Sequence, residues 1–171
     1  GDAQGLDLLV DTAEKLVGED IKWFIVGDGR AKQTLQDQVN ERKLEENVQF
    51  IGRVSVEEAN RYVHYADCAY LSFSDSKLFD LTIPAKLQTY LACGAPVLGA
   101  VGGESADIIA QANCGLIAEK NPESVSQKLL ELMEFSPEKI KDLRNNALSY
   151  FNQNYLKKKV VDDLENTINQ A

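Results

Sequence analysis

Histidine, tryptophan and methionine each occur once in the 171 residues, and cysteine only three times. A single histidine, His64, has no partner motif and supports neither a catalytic triad nor a metal cluster. It lies in Arg61-Tyr62-Val63-His64-Tyr65, a stretch of helical pattern, and reads as structural. Cys68, Cys93 and Cys114 are far apart and form no CxxC pair, so neither a zinc site nor a disulfide framework is indicated. Each sits among small or apolar residues and reads as a buried thiol, which fits a cytoplasmic setting. No Asp-x-Asp pair or carboxylate cluster stands at a strand end, so no metal is expected. No apolar run reaches the roughly 20 residues that span a bilayer. The first five residues are polar and do not read as a signal peptide. The chain does not begin with Met and reads as an excised piece. Positive charge is scarce too: 18 Lys and Arg against 27 Asp and Glu leave a net charge of −9. That argues against broad binding to nucleic acid or to an anionic leaflet. An anionic ligand would need a local pocket of backbone amides with a single cation.

What is present is an ordinary globular composition, 44% hydrophobic and 26% charged, in a length that suits one domain spanning 1–171. Leu6, Leu9, Val10, Ala13 and Leu16 follow helical spacing up to Gly18. Short apolar runs then alternate with helical patterns. The runs are Lys22–Val26, Val48–Ile51, Cys68–Phe73, Pro96–Ala100 and Gly115–Ala118. The helices are Ala31–Arg42, Ser55–Tyr65, Ala85–Cys93 and Glu104–Asn113, then one capped by Asn121 with Pro122 at its first position, and one opened by Ser136-Pro137. Ser55 with Glu58 has the spacing of a capping box. A last helix is expected over about 160–170, after an irregular stretch at Asn152-Gln153-Asn154-Tyr155; it could pack on another domain. Strands that are apolar on both sides predict a parallel sheet covered on both faces. The fold class is α/β, doubly wound and Rossmann-like.

In such sheets ligands bind beyond the carboxyl ends of the strands. Gly27 and Gly29 follow the first visible strand in Gly27-Asp28-Gly29. A dinucleotide fingerprint needs a third glycine, and Lys32 stands there instead. The turn still offers bare backbone to a ligand. Arg53 ends the second strand, either beside a nucleotide base or as an exposed residue. The segment Leu81, Thr82, Ile83, Pro84, Ala85, Lys86 carries more. A loop ends at Pro84 and a helix opens at once, leaving first-turn amides without internal partners. Lys86 sits where its charge opposes the helix dipole, which makes best sense with an anion present. Thr89, three residues on, shares its face. A cation, a hydroxyl and free amides suit a diphosphate and its ribose. Gly103 and Glu104, after Gly102, form either a second close-approach turn or a plain strand-to-helix connection.

Together these segments resemble the retaining glycosyltransferases of the GT-B fold, in the large sequence family four. The resembling pieces stand in order: Ala3–Asp7, Phe24–Gly29, Val48–Arg53, Ala66–Cys68, Ile83–Val97 and Ala112–Leu116. The stretch Leu81–Tyr90 is similar to the branch that transfers N-acetylated amino sugars, such as N-acetylfucosamine, in surface polysaccharide assembly. The resemblance implies the C-terminal, donor-binding half of a two-domain enzyme. Its substrate would be a nucleotide sugar, UDP-linked, with no further cofactor. The acceptor, a glycan or lipid-linked sugar, and most catalytic groups would come from the protein's own N-terminal domain. No catalytic residue is nominated here. The family usually carries two glutamates separated by seven residues; the matching positions are Leu81 and Thr89, and neither is a carboxylate. Gln4 stands where many relatives carry a phosphate-binding lysine. The family's first strand and glycine loop would precede Gly1. The expected setting is cytoplasmic, with attachment of the parent to the inner face of a membrane left open. Two alternatives stay open: a nucleotide-sugar 2-epimerase half-domain, and a non-catalytic module that binds a nucleotide or a partner.

Overall fold

The computed structural model describes residues 5–73 and 84–156. Ala3, Gln4, Leu81, Thr82 and Ile83, and the helix expected at about 160–170, lie outside them. Within them the elements alternate as expected: α1 (Leu6–Lys15), β1 (Trp23–Val26), α2 (Lys32–Glu41), β2 (Val48–Gly52), α3 (Val56–Tyr65) and β3 (Ala69–Ser72). There follow α4 (Ala85–Ala92), β4 (Val97–Ala100), α5 (Gly103–Ala112), β5 (Gly115–Ile117), α6 (Pro122–Met133) and α7 (Pro137–Asn154). The caps read from the sequence are in place. Ser55, Asn121 and Ser136 accept from the amides of Glu58, Ser124 and Lys139 at 3.1, 2.8 and 3.2 Å. One expectation is corrected. Asn152 to Asn154 is helical, not irregular, because α7 continues until Tyr155 folds back onto the Tyr150 and Phe151 rings.

All pairings are parallel. β1 pairs with β2, and β4 lies between β3 and β5. Side chains alternate across a strand, so β4 feeds two cores. Leu98 and Ala100 join Val10, Leu35, Val39 and Val125, which belong to α1, α2 and α6. Val97 joins Leu71, Leu87, Leu91, Ile108, Ile109 and Ala147 beneath α4, α5 and α7. The result is a sheet with helices on both faces, the doubly wound arrangement.

β1 departs from this pattern. Among the described residues no ladder joins β1 to β3, although Trp23 on β1 meets Tyr70 on β3 edge-on at 5.4 Å between ring centroids. Phe24 is 51% exposed, where a parallel strand covered on both faces would bury it. Its ring lies 6.3 Å, centroid to centroid, from that of Tyr62 on α3. α3 has an apolar face but no buried residue.

The elements on the second face are tied together by one guanidinium. Arg144 on α7 donates to His64 O at 2.9 Å and Ala66 O at 2.6 Å, past the end of α3, and to Gly94 O at 3.3 Å, past the end of α4. A cation at two helix C-termini is also favoured by their dipoles. His64 holds the same corner, its Nδ1 3.0 Å from Cys93 O. Arg144→Met keeps the stem but strands three carbonyls. It should cost about 1–3 kcal/mol, read as a lower urea midpoint with unchanged m-value.

Candidate functional site

Every expected site residue that is described lies at the carboxyl ends of the strands. They form three groups. The first joins β1 and β2. The amide of Gly27 donates to Gly52 O at 2.8 Å, with a register shift just before it. Gly27 (φ 131°) and Gly52 (φ 82°) both lie where a side chain would be strained. Gly29 and Arg53 are exposed beside them.

The second group is the start of α4. Pro84 provides no side-chain cap, and among the described residues no side chain bonds the first amides of the helix. Leu87 and Leu91 are wholly buried and fix the helix on the core. Ala85 and Lys86 are left exposed. Burial by the surrounding protein nonetheless holds the Lys86 ammonium below the ordinary lysine range. Among the described residues no carboxylate pairs with it. Thr89 qualifies the expectation made for it: its hydroxyl donates to Ala85 O at 3.0 Å, within its own helix. Towards a ribose it therefore offers an acceptor rather than a proton.

The third group is the start of α5. Gly102 supplies no cap, Gly103 has φ 56°, and Glu104 is exposed in the first turn. Two residues missed by sequence reasoning lie near enough to feel the Glu104 charge. Burial raises the pKa of the Tyr150 and Tyr155 phenols, and the Glu104 charge adds to it. They come from the far end of α7, which no local pattern places there.

Sequence reasoning also passed over Lys32. Its Nζ lies 3.2 Å from Asp28 Oδ1 and 3.8 Å from where a Cβ on Gly52 would stand. The signal was available: like Lys86, it is a lysine in the first turn of a helix that follows a strand.

Other features carry no chemistry. Cys114 is buried as expected, whereas Cys68 and Cys93 are only partly covered. Burial pushes the Cys68 thiol up to about 12 and the Cys114 thiol to about 11, so neither is a thiolate nucleophile. Among the described residues no cluster of His, Cys, Asp or Glu has the makings of a metal site. No helix among them is long and apolar enough to cross a membrane. A shallow hollow of about 560 Å³ lies at the opposite ends of the strands. Glu19, Asp20, Glu45 and Glu46 line it with Lys22, an excess of negative charge that disfavours an anion.

The sequence profile of the family described as glycosyl transferases group 1 matches residues 1–150. An uncharacterized glycosyltransferase of Methanocaldococcus jannaschii, MJ1178, is 25% identical over 138 residues, covering 76% of this chain and 35% of the relative. WcaI of Escherichia coli, a putative colanic acid biosynthesis glycosyl transferase, is 31% identical over 94 residues, 55% of this chain and 23% of the relative. Among solved structures, Anabaena Alr3699/HepE in complex with UDP superposes with a TM-score of 0.82 at 16% identity. The match covers 100% of this chain and 46% of that one. The chain thus spans about a third or less of these curated relatives and under half of the solved structure.

Proposed function

The chain belongs to the group 1 glycosyl transferases, and from that premise we propose that it is the nucleotide-sugar-binding half of a two-domain enzyme. The diphosphate of the sugar donor sits on the first-turn amides of α4 against Lys86. The nucleoside runs across the sheet end towards Gly27, Gly52 and Arg53. The observation that carries this reading is Lys86 itself. It is an exposed cation in the first turn of α4, opposing the helix dipole, with no carboxylate partner among the described residues. In the reaction, the amides and Lys86 stabilise the charge that develops on the departing diphosphate, with no reorganisation at the moment of transfer. The UDP and UDP-glucose complexes of HepE support a UDP-linked donor. The likeness to WcaI supports a role in surface polysaccharide synthesis. Retention at the anomeric centre rests on the resemblance of the ordered segments together, and an N-acetylated amino sugar on that of Leu81–Tyr90 alone. The acceptor wall of the cleft belongs to the other domain.

The proposal includes a strand between β1 and β3. α1 and α2 cover the same face, and the β1–α2–β2 crossover steps away from β3. Crossovers between parallel strands share one hand. A strand that leads into α1 through Gly5 therefore lies on the β3 side of β1. It would bond to both open edges and cover Phe24 and the bare face of α3. Its C-terminal turn would add amides beside Lys86. Hydrogen exchange at β1 and β3 checks this. In the full-length protein the outward-facing amides of both strands should exchange at least tenfold more slowly than in the 171-residue chain. Equal rates in the two would leave the edges open and reject the strand.

Lys86→Met in the full-length protein tests the binding reading. Loss of one charge-assisted contact should weaken UDP binding by about 1.5–3 kcal/mol, while uridine binding stays nearly unchanged. Calorimetric titration of both ligands reads this, and equal UDP affinity would remove Lys86 from the site. The stability effect has the opposite sign. The folded pKa of Lys86 lies below its unfolded value, so the charge is a penalty wherever both states are protonated. The penalty fades as pH rises through the folded and then the unfolded value. The Met variant should therefore be as stable as wild type or more so near neutral pH, the difference closing in alkali.

A further inference from the structure

The Asp28–Lys32 pair has the wrong address for a helix-surface ion pair. Asp28 is not helical; it stands in the loop after β1, next to Gly27 at φ 131°. Lys32 leans back over the N-terminus of α2, as helical side chains do. Its ammonium comes to rest above Gly52 at the end of β2. Nothing lies within 4 Å of where a Cβ on Gly27 would stand. A carboxylate and an ammonium 3.2 Å apart are therefore presented beside two bare glycines at the end of the sheet named above for the nucleoside. Lys32 keeps about a third of its side-chain surface and Asp28 about half, 32% and 56%, so both can reach a ligand.

We infer that this pair reads the edge of the nucleotide base, and that it selects a uracil-type base. The inference rests on the nucleotide reading above. Its sense comes from the order of the strands. Trp23 places β1 on the side of β3 and α4, and β2 lies beyond β1. Asp28, after β1, is thus the nearer group to a nucleoside anchored on α4, and the Lys32 ammonium over Gly52 is the farther one. A uracil ring fixed by its sugar presents the N3–H first and the O4 carbonyl beyond it. The carboxylate accepts from that N–H and the ammonium donates to that oxygen. Cytosine presents an unprotonated ring nitrogen and then an amino group, which sets acceptor against carboxylate and donor against ammonium. A site built for one pattern leaves buried polar groups unmatched by the other. Gly52 leaves room for the ring, where any side chain would project towards the Lys32 ammonium.

The test uses the full-length protein as wild type, Lys32→Met, Asp28→Asn and Lys86→Met, with UDP, CDP and inorganic pyrophosphate titrated calorimetrically into each. Thermal unfolding confirms that each variant is folded. Wild type should bind UDP at least tenfold more tightly than CDP. Lys32→Met and Asp28→Asn should each reduce that ratio severalfold, with pyrophosphate affinity unchanged. Lys86→Met should weaken all three ligands and leave the ratio intact. Three results overturn the inference and leave the nucleotide reading standing. One is an unchanged UDP-to-CDP ratio in both pair variants. Another is a wild-type preference for CDP. The third is an equal loss of UDP, CDP and pyrophosphate in Lys32→Met, which would make Lys32 a phosphate contact. Failure of the wild type to bind any of the nucleotides would overturn both readings.

Discussion

The burial of β4 is the constraint on which the rest of the molecule depends. All four of its residues are buried, and they serve two cores at once. Val97 anchors the side that carries α4, α5 and α7, while Leu98 and Ala100 anchor the side of α1, α2 and α6. Gly99 is needed between them, because a Cβ there would meet Ile109 Cδ1 at 2.6 Å. With β4 fixed, α4 and α5 begin at the same sheet end, since α4 runs back to the start of β4 through Cys93–Pro96 and α5 leaves its far end after Val101 and Gly102. Two helix starts without a side-chain cap from their N-cap residues, and a lysine with no carboxylate partner among the described residues, are then presented together. Burying a few aliphatic side chains, each contributing about 1.5–3 kcal/mol, holds the charged apparatus in place.

Electrostatics separates the two ends of the sheet. The end that begins the strands carries Glu19, Asp20, Glu45 and Glu46 around its hollow. The end that closes them carries Arg53 and Lys86, with Lys32 paired to Asp28 and Glu104 close by. In a chain of net charge −9, an anion meets Lys86 and Arg53 there rather than four carboxylates and Lys22. The chemistry of the lining decides the matter, because a diphosphate needs amides and cations rather than carboxylates.

Much of the fold was legible because each element carried its own local signal. Ser55, Asn121 and Ser136 marked helix starts by side-chain chemistry, and all three bonds are present. The apolar runs at Val97–Ala100 and Ala69–Ser72 could only be buried strands. What was not legible depends on partners far away in sequence. The half-exposed Phe24 reflects the absence of a bonded neighbour beside β1. The approach of Tyr150 and Tyr155 to Glu104 reflects the path of α7. The Thr89 hydroxyl could be placed on the face of Lys86 from spacing alone, but not its bond to Ala85 O. Lys32 was read only as a missing glycine, since its meeting with Gly52 joins two strands.

The central claim is that the ligand of this domain lies at the carboxyl ends of the strands, on α4 and across to β2. The most direct measurement is a map of backbone amide chemical shifts in the full-length protein as UDP is added. The account predicts that shifts concentrate on Ala85, Lys86, Gly27, Gly52 and Arg53, with the amides of Gly18 to Lys22 and Glu45 to Asn47 unmoved. Shifts confined to that second set, around the acidic hollow, would contradict it.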